Sequence, residues 1–368
     1  MAQTLMGGDG VAAPAFDGLK LVSPAQVESE LSNRLAASGA AAGESPSRAC
    51  TLNLVVFIER AAEIADIAEA IRALEAAHPM RVILVTLDAG APYDRVQTWV
   101  DVECSDCGQV CSEQIVLRGN PDESARVVST VLALLVADLP VALWWRSDSP
   151  YLSRLFKGLA PLADKIVVDS IRFGDGPAAL DTLHRLSWSD RHSWSSAASA
   201  DRSRRPAPIA DMNWYRIATW RSTLSACFDD PAVITLLPTI DKSEIEFSLG
   251  PDGGDATPSA RSLLLAGWIV SRMPAIAGHG DLSGVPSGWA TRGAIVALRL
   301  RSSKSRAGVS IEWKSDKAGI DATAFDSSGA PMRRWRFEPD PEDEADLLYR
   351  CIDTMSPDPV LEAALEVG

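Results

Sequence analysis

Three cysteines stand close enough in the sequence to bind a metal ion or to form a disulfide, at Cys104, Cys107 and Cys111. The residues between them are typical of a hairpin tip. If the turn is centred on Cys107 and Gly108, Cys104 and Cys111 face each other across two strands, with Cβ atoms about 4.5–5.5 Å apart. Reduced inert thiols, a redox-switchable pair and a metal site are the alternatives. The metal site is the weakest of them, because no fourth ligand lies nearby in the sequence.

A second candidate is the segment Asp211–Arg221, where tryptophan and arginine share one face of a predicted helix. Asp211 is a good N-cap, and apolar residues follow it at helical spacing. Arg221 falls within the apolar face, where a guanidinium needs a carboxylate or carbonyl partner. Either Arg221 is internal and pairs with Asp211 or with an acidic residue of the preceding domain, or the face recognises another protein through residue types that are enriched at hot spots. The candidate residues of this segment are Asp211, Asn213, Trp214, Trp220 and Arg221, and the face also includes Ile217, Leu224 and Phe228.

Charged side chains that follow two predicted strands form the third candidate. Val141–Trp145, which ends in the pair Trp144 and Trp145, is followed by Arg146, and Lys165–Val168 is followed by Asp169. In open parallel sheets, ligands bind beyond the carboxyl ends of the strands. Arg146 and Asp169 are therefore candidates for a crevice that binds an anionic sugar phosphate, as an enzyme or a sensor would. The alternative is that both are ordinary solvated loop residues.

Motifs of catalysis and nucleotide binding are missing from the sequence. It contains no Gly-x-Gly-x-x-Gly, no P-loop and no Gly-x-Ser-x-Gly elbow. None of the four histidines has a histidine or carboxylate four residues further along a helix face, so no zinc site is framed. We therefore predict a protein that is not an enzyme and that binds no metal or cofactor.

The charge balance excludes two classes of partner. The net charge is −14 and the pI is about 4.8, which repels both phosphate backbones and anionic lipid, so we predict no nucleic-acid or membrane role. The apolar run Val127–Trp145 is long enough to span a bilayer, but Asp138 and Pro140 divide it. A helix followed by a buried strand explains it better. The first residues lack the features of an export signal, which indicates a cytoplasmic protein.

The pattern of apolar residues predicts an α/β protein with two domains. Residues 1–22 are expected to be flexible, and residues 23–170 to form a doubly wound, mostly parallel sheet, because continuous apolar strands alternate with helices. Residues 171–368 are expected to form an α+β domain that contains an antiparallel meander, with a flexible Ser/Arg-rich insertion at 186–210. The predicted strands of the meander are Ala294–Arg301, Gly308–Lys314, Asp321–Asp326 and Met332–Phe337. Helices are predicted to begin at Asp211, at Asp230 and at Pro258.

Several short segments together resemble the glucose-6-phosphate dehydrogenase assembly protein family, the OpcA-type proteins. They occur in the same order over roughly residues 50–300, and their combination is specific although each alone is weak. The segments are Thr51–Val56, His78–Arg81, Cys111–Ile115, Asp138–Pro140 with Trp144 and Trp145, Asp211–Trp214 with Trp220 and Arg221, and Phe228 with Asp229.

The resemblance implies a non-catalytic protein that binds glucose-6-phosphate dehydrogenase, promotes its active oligomer and raises its activity. In photosynthetic members of the family, activation is linked to thiol redox state, which makes a thioredoxin-type redox partner a candidate for the cysteines here. An activator of this kind acts by contacting the active conformation of the enzyme better than the inactive one.

Overall fold

The computed structural model describes residues 20–42, 47–48, 50–59, 63–104, 110–189, 207–314 and 319–367. These residues form two compact units. The first unit contains the described residues within Met1–Val167, Ser193–Pro208 and Glu344–Met355, and the second unit contains those within Val168–His192, Ile209–Asp343 and Ser356–Gly368.

Strands and helices alternate along the described part of the first unit and give way to a strand-rich region in the second. The strands are β1 (Lys20–Val22), β2 (Ser47–Arg48), β3 (Leu52–Ile58), β4 (Met80–Leu87), β5 (Gln97–Cys104), β6 (Val110–Gly119), β7 (Val141–Arg146), β8 (Lys165–Val168), β9 (Ile209–Asp211), β10 (Lys242–Ser248), β11 (Gly280–Val285), β12 (Ile295–Arg301), β13 (Gly308–Lys314), β14 (Gly319–Phe325) and β15 (Pro331–Phe337). The α-helices are α1 (Val27–Ala42), α2 (Ile64–Ala77), α3 (Ser124–Leu134), α4 (Arg154–Leu159), α5 (Gly176–His184), α6 (Met212–Arg216), α7 (Ala218–Phe228), α8 (Ala260–Arg272), α9 (Glu344–Ile352) and α10 (Pro359–Val367).

The sheet of the first unit has a parallel centre. Its strands lie in the order β1-β5-β6-β4-β3-β7-β8, and β2 pairs with β6. The four central strands β6, β4, β3 and β7 run parallel, while β5 and β1 are antiparallel to their neighbours. Nearly every residue of β3, β4 and β7 is buried, as expected for strands covered on both faces. The predicted α/β class with a mostly parallel sheet is confirmed.

The apolar run Val127–Trp145 is divided between a helix and a strand, as predicted. Helix α3 ends at Leu134 and β7 begins at Val141. The buried side chain of Asn53 stabilises the connection: its amide donates to the carbonyl of Val136 at 3.0 Å, and its Oδ1 accepts from the Val136 N–H at 2.8 Å. No helix within the described ranges combines the length and the apolar character needed to cross a membrane.

The second unit contains a mixed six-stranded sheet in the order β11-β10-β12-β13-β14-β15. The strands from β12 to β15 form the predicted antiparallel meander, and β10 pairs antiparallel with β12 and parallel with β11. Buried and partly buried residues alternate along β10 and β14, which is typical of a sheet with one face more covered than the other. Helices α5 and α10 both contact α8, at the centre of the helical part of this unit.

Two predicted helices of the second unit differ from those in the structure. The helix expected to begin at Asp211 is broken at Ile217, where φ is −93° and ψ is 7°, so α6 and α7 are separate. The α-helix predicted from Asp230 is wrong. A 3₁₀-helix at Ile234–Thr239 stands there instead and contains Pro238, which cannot donate to a continuing helix.

Two further predicted segments lie mainly outside the described residues. Of the N-terminus at 1–22, only Lys20–Val22 is described, as strand β1, which pairs with β5. Of the Ser/Arg-rich insertion at 186–210, residues 190–206 are not described.

Candidate functional site

Arg146 is the last residue of β7, and it is buried rather than solvated. It is 4% exposed and forms a close ion pair with Glu344 of α9. Its Nε also lies 3.8 Å from a carboxylate oxygen of Glu63, and its guanidinium stands 4.8 Å from the centroid of the Trp144 ring. The alternative of a solvated loop residue is therefore wrong for Arg146. The neighbouring Trp145 is a core side chain of the same unit.

Trp145 packs within an aromatic cluster of the first unit. Its ring stacks on Phe57 with centroids 4.0 Å apart and meets Phe156 edge-on at 5.0 Å. Such aromatic pairs are worth about 0.5–1.5 kcal/mol beyond the area they bury. The tryptophan pair at the end of β7 therefore stabilises the sheet, and neither ring is placed on a surface.

Asp169 follows β8 and forms an ion pair inside the second unit. Its two carboxylate oxygens accept hydrogen bonds from Arg216 at 2.6 and 2.8 Å, so the pair is bidentate. Only 7% of Asp169 is exposed, so the alternative of a solvated loop residue is wrong here too. Charge-assisted bidentate pairs of this type are strong and fix the geometry of both partners.

Asp169 belongs to a larger buried network, here called the Asp211 cluster, which lies entirely in the second unit. Asp211 caps α6 and accepts hydrogen bonds from the Ser170 N–H and hydroxyl, each at 2.8 Å. Asn213 donates to the Ser170 hydroxyl at 3.0 Å, and its Oδ1 accepts from Arg216 at 2.9 Å. The cluster consists of Asp169, Ser170, Asp211, Asn213, Arg216 and Arg261.

The surroundings of Asp211 make its ionised form less favourable than that of an exposed aspartate. Burial raises the pKa of this carboxyl from its ordinary 3.8 to about 6, and the negative charge of Asp169 adds to the effect. Hydrogen bonds from Ser170 and Asn213 act in the opposite direction. Within the cluster the Ser170 hydroxyl is therefore held by the Asp211 carboxyl.

Trp214 and Arg221 contact each other, and Arg221 is not bound to Asp211, the partner that the sequence suggested. The Arg221 guanidinium lies 3.5 Å from the centroid of the Trp214 ring, and one Nη donates to the Trp214 carbonyl at 3.1 Å. The predicted partner Asp211 instead binds Ser170 and Asn213. Burial lowers the pKa of Arg221 to about 10. Its Nε has no hydrogen-bond partner within the described residues.

The indole of Trp214 also stabilises the last helix. Its Nε1 donates to Asp358 at 2.8 Å, and the other carboxylate oxygen of Asp358 accepts from the N–H groups of Val360 and Leu361 at 2.9 and 3.1 Å. Asp358 therefore caps α10 and binds Trp214 at the same time.

Beside Arg221 runs an open groove of about 660 Å³ between α7, α8 and the start of α10. It is lined by Ala218, Arg221, Ser222, Leu224, Ser225, Phe228, Leu237, Trp268, Ile269, Arg272, Met273 and Val360. Leu224 and Phe228 belong to the apolar face recognised in the sequence. We call this feature the Arg221 groove.

Two smaller cavities of the second unit adjoin the Asp211 cluster. One, of about 480 Å³, is lined by Asn213, Arg261 and Arg292 among others. The other, of about 350 Å³, is lined by Trp220, Trp289 and Trp313, and again by Arg261. The rings of Trp289 and Trp313 are nearly parallel, with centroids 6.1 Å apart, and Trp289 is 45% exposed.

Sequence reasoning missed Trp289 and the two arginines of the Asp211 cluster. A usable signal for Trp289 is its position in a Pro/Ser/Gly turn, where an aromatic side chain has little core to enter. A signal for Arg216 is its spacing three residues after Asn213 on a helix. Arg261 carries no local signal, because its partners Asn213 and Glu342 lie far from it in the sequence.

Cys104 and Cys111 are joined by a disulfide and stand directly opposite each other in the β5–β6 register. The predicted facing pair is thus confirmed, and the alternative of two reduced thiols does not describe this structure. Cys107 lies outside the described residues. No group of three metal-binding side chains occurs in the part of the chain that the structure describes.

Comparison with protein families gives two adjacent matches. Residues 71–185 match the model of the glucose-6-phosphate dehydrogenase subunit N-terminal domain of OpcA, and residues 207–365 match the model of the corresponding C-terminal domain. Together the two matches include residues of both units.

Two cyanobacterial proteins are similar to part of the chain. They come from Nostoc punctiforme and Synechocystis, and both carry the provisional name of OxPP cycle protein OpcA. Each is 29% identical over 164 residues, which is 45% of this chain and 30% of the relative. The match therefore spans under a third of each relative's length.

Solved structures give only distant likenesses. A 3-ketoreductase from Actinomadura kijaniata superposes with a TM-score of 0.43 at 10% identity, covering 86% of this chain and 94% of the other. A dehydrogenase from Chromobacterium violaceum gives a TM-score of 0.36 at 13% identity, covering 86% and 92%. TM-scores this low carry no information about function.

Proposed function

The chain belongs to the OpcA family of glucose-6-phosphate dehydrogenase assembly proteins, and on that premise we propose that it binds this dehydrogenase in the cytoplasm, promotes its active oligomer and raises its activity without catalysing a reaction itself. The observation that carries the proposal is the match of family models along residues 71–185 and 207–365. The oxidative pentose phosphate pathway would be the process it supports.

The internal use of the strand-end charges supports this proposal. Arg146 is paired with Glu344, and Asp169 is paired with Arg216. A catalytic or sugar-phosphate site needs such groups directed towards a ligand, whereas here they hold structural elements together. A protein that binds another protein does not need these charged groups to face a ligand, because its binding free energy comes from surface contacts with the partner.

Steady-state kinetics of the cognate dehydrogenase test the proposal. A molar excess of this chain is expected to lower KM or raise kcat, and light scattering is expected to show a larger population of the active oligomer. The dehydrogenase alone and the dehydrogenase with an unrelated acidic protein serve as controls. Unchanged kinetics together with an unchanged oligomer over a wide concentration range would contradict the proposal.

The second candidate function is an enzyme or sensor that binds a sugar phosphate near Arg146 or Asp169. Calorimetric titration of the isolated chain with glucose 6-phosphate separates the two candidates. Micromolar binding in the absence of the dehydrogenase would favour the sensor, and no heat of binding would favour the assembly factor.

A redox influence is part of the proposal and would act on the Cys104–Cys111 disulfide. Disulfides in a cytosolic protein are usually transient, so a thioredoxin-type partner is expected to reduce this one, itself becoming a disulfide while Cys104 and Cys111 become thiols.

A further inference from the structure

The Arg221 groove exposes apolar surface that no described element covers. Phe228, Leu237, Met273 and Val360 line it and are each half-buried. The side chains come from four separate elements, namely α7, the following 3₁₀-helix, the end of α8 and the start of α10. Removing apolar surface of this kind from water is favourable, so the groove is suited to an apolar occupant.

The charge of the groove differs in sign from that of the chain. The net charge of the protein is −14, yet the two ionisable residues that line the groove are Arg221 and Arg272. No aspartate or glutamate appears among the described residues of the lining. An occupant with carboxylates beside its apolar side chains would therefore complement the groove.

The positive charge of Arg221 is only partly neutralised by the protein. Arg221 makes its one described hydrogen bond to a carbonyl, and no ion pair of Arg221 occurs within the described residues. Asp358 acts on it through its charge, but the oxygens of Asp358 already accept hydrogen bonds from Trp214, Val360 and Leu361. A guanidinium stacked on an indole gains a further carboxylate partner without moving.

We propose that the Arg221 groove is the docking site for an acidic, amphipathic segment of the dehydrogenase, with its apolar face in the groove and its carboxylates on Arg221 and Arg272. The inference rests on the proposed function, since it names the surface through which the partner is bound. An amphipathic helix laid into an apolar groove is a common mode of such recognition.

Binding of the dehydrogenase to three variants tests the proposal. Arg221→Met/Arg272→Met keeps the apolar stems and removes both charges, and it is expected to raise the Kd about tenfold or more. Arg306→Met/Arg334→Met removes two exposed charges of the same unit outside the groove, so its Kd is expected to stay within about twofold of the wild type. Ser225→Trp fills the groove from an exposed helix position and is expected to weaken binding. It loses one hydrogen bond to the Arg221 backbone carbonyl but keeps both guanidinium groups.

The outcomes separate this inference from the proposed function. If the wild-type chain neither binds nor activates the dehydrogenase, the proposed function is wrong. If the wild type binds and both the double methionine variant and Ser225→Trp bind equally well, the function stands and the groove is not the docking site. Ser225→Trp decides the question if loss of Arg221 impairs folding, because its own site is exposed. Tight binding of a fluorescent fatty acid by the isolated chain, competing with the enzyme, would instead assign the groove to a small anionic lipid.

Discussion

Asp211 is a fully buried carboxyl whose protonation depends on folding. Its pKa is about 6 in the folded chain and ordinarily 3.8, so between these values the folded protein holds a proton that the unfolded chain releases. The resulting stabilisation is complete below about pH 4 and is lost as the pH rises through 6. A pKa shift of this size changes the free energy of unfolding by about 3 kcal/mol in total, and about 1 kcal/mol of that change occurs between pH 5.5 and 7.5.

Asp211→Asn is expected to remove this part of the pH dependence. An asparagine keeps the acceptor for the Ser170 and Asn213 N–H groups, and its amide can donate to the Ser170 hydroxyl, which has a free acceptor position. Urea denaturation at pH 5.5 and 7.5 measures the difference in unfolding free energy. Asp148→Asn, at an exposed position, controls for the loss of one negative charge. An undiminished pH dependence in Asp211→Asn would show that another group carries it.

Two neighbouring strands of the first unit are joined by a buried ion pair. Arg81 of β4 stands opposite Glu113 of β6, with nitrogen and oxygen 2.6 Å apart and both side chains nearly inaccessible. Arg81→Met removes the buried cation that faces the Glu113 carboxylate and is expected to lower the unfolding free energy by about 3–5 kcal/mol. Arg81→Met/Glu113→Leu is expected to recover most of that loss in the same urea titration. A double variant no more stable than the single one would indicate that Arg81 acts through Glu28 or the Leu134 carbonyl, which it also binds.

The hairpin of β5 and β6 is closed by the Cys104–Cys111 disulfide over a short loop. Reduction, or Cys104→Ser/Cys111→Ser, is expected to lower stability by about 2–3 kcal/mol, because the unfolded chain gains the freedom of a loop of this length. Mass mapping after mild oxidation is expected to find this pair linked. Cys107→Ser is the matched control. A linkage through Cys107 or the buried Cys227 would mean that the strand register is different.

At the level of elements, local pattern predicted most of the fold. The meander strands agree within about two residues, because each is a run of alternating burial bounded by turn residues. Strand β11 was missed since Gly280–Val285 contains two glycines and polar residues. It is a strand because β10 provides its partner, which is tertiary information. The break between α6 and α7 at Ile217 could not be predicted either, because apolar residues continue at helical spacing through it.

The sequence pattern indicates which candidate residues are buried, but it does not indicate which partners they bind. Burial of tryptophans such as Trp144 and Trp214 follows from their size and pattern, but which charge meets which depends on distant parts of the chain. Arg146 finds Glu344 almost two hundred residues later in the sequence, and no local spacing predicts that. The family resemblance led to the proposed function, but two residues of its segments have structural roles: Asn53 holds a turn, and Arg81 bridges two strands.

For the whole molecule, acidity sets the conditions in which it can be studied. With a net charge of −14 at neutral pH and a pI of about 4.8, the chains repel one another near pH 7 and lose that repulsion as the pH falls. Solubility is therefore expected to be lowest near pH 4.8, as turbidity across a pH series at constant ionic strength would show. A solubility minimum well above pH 6 would imply that specific contacts between the surfaces of two chains, and not their net charge, govern association.

Trp214 connects the Arg221 groove to the end of the chain. Its ring lies under Arg221, its Nε1 binds the carboxylate that caps α10, and Val360 of that helix forms part of the groove wall. An occupant of the groove can bind fully only when α10 is docked, so by linkage it must slow the local opening of that helix. Amide hydrogen exchange along the whole of α10 would then slow when the groove is occupied. Only the start of that helix lines the groove, and the effect needs no change in the shape of the chain.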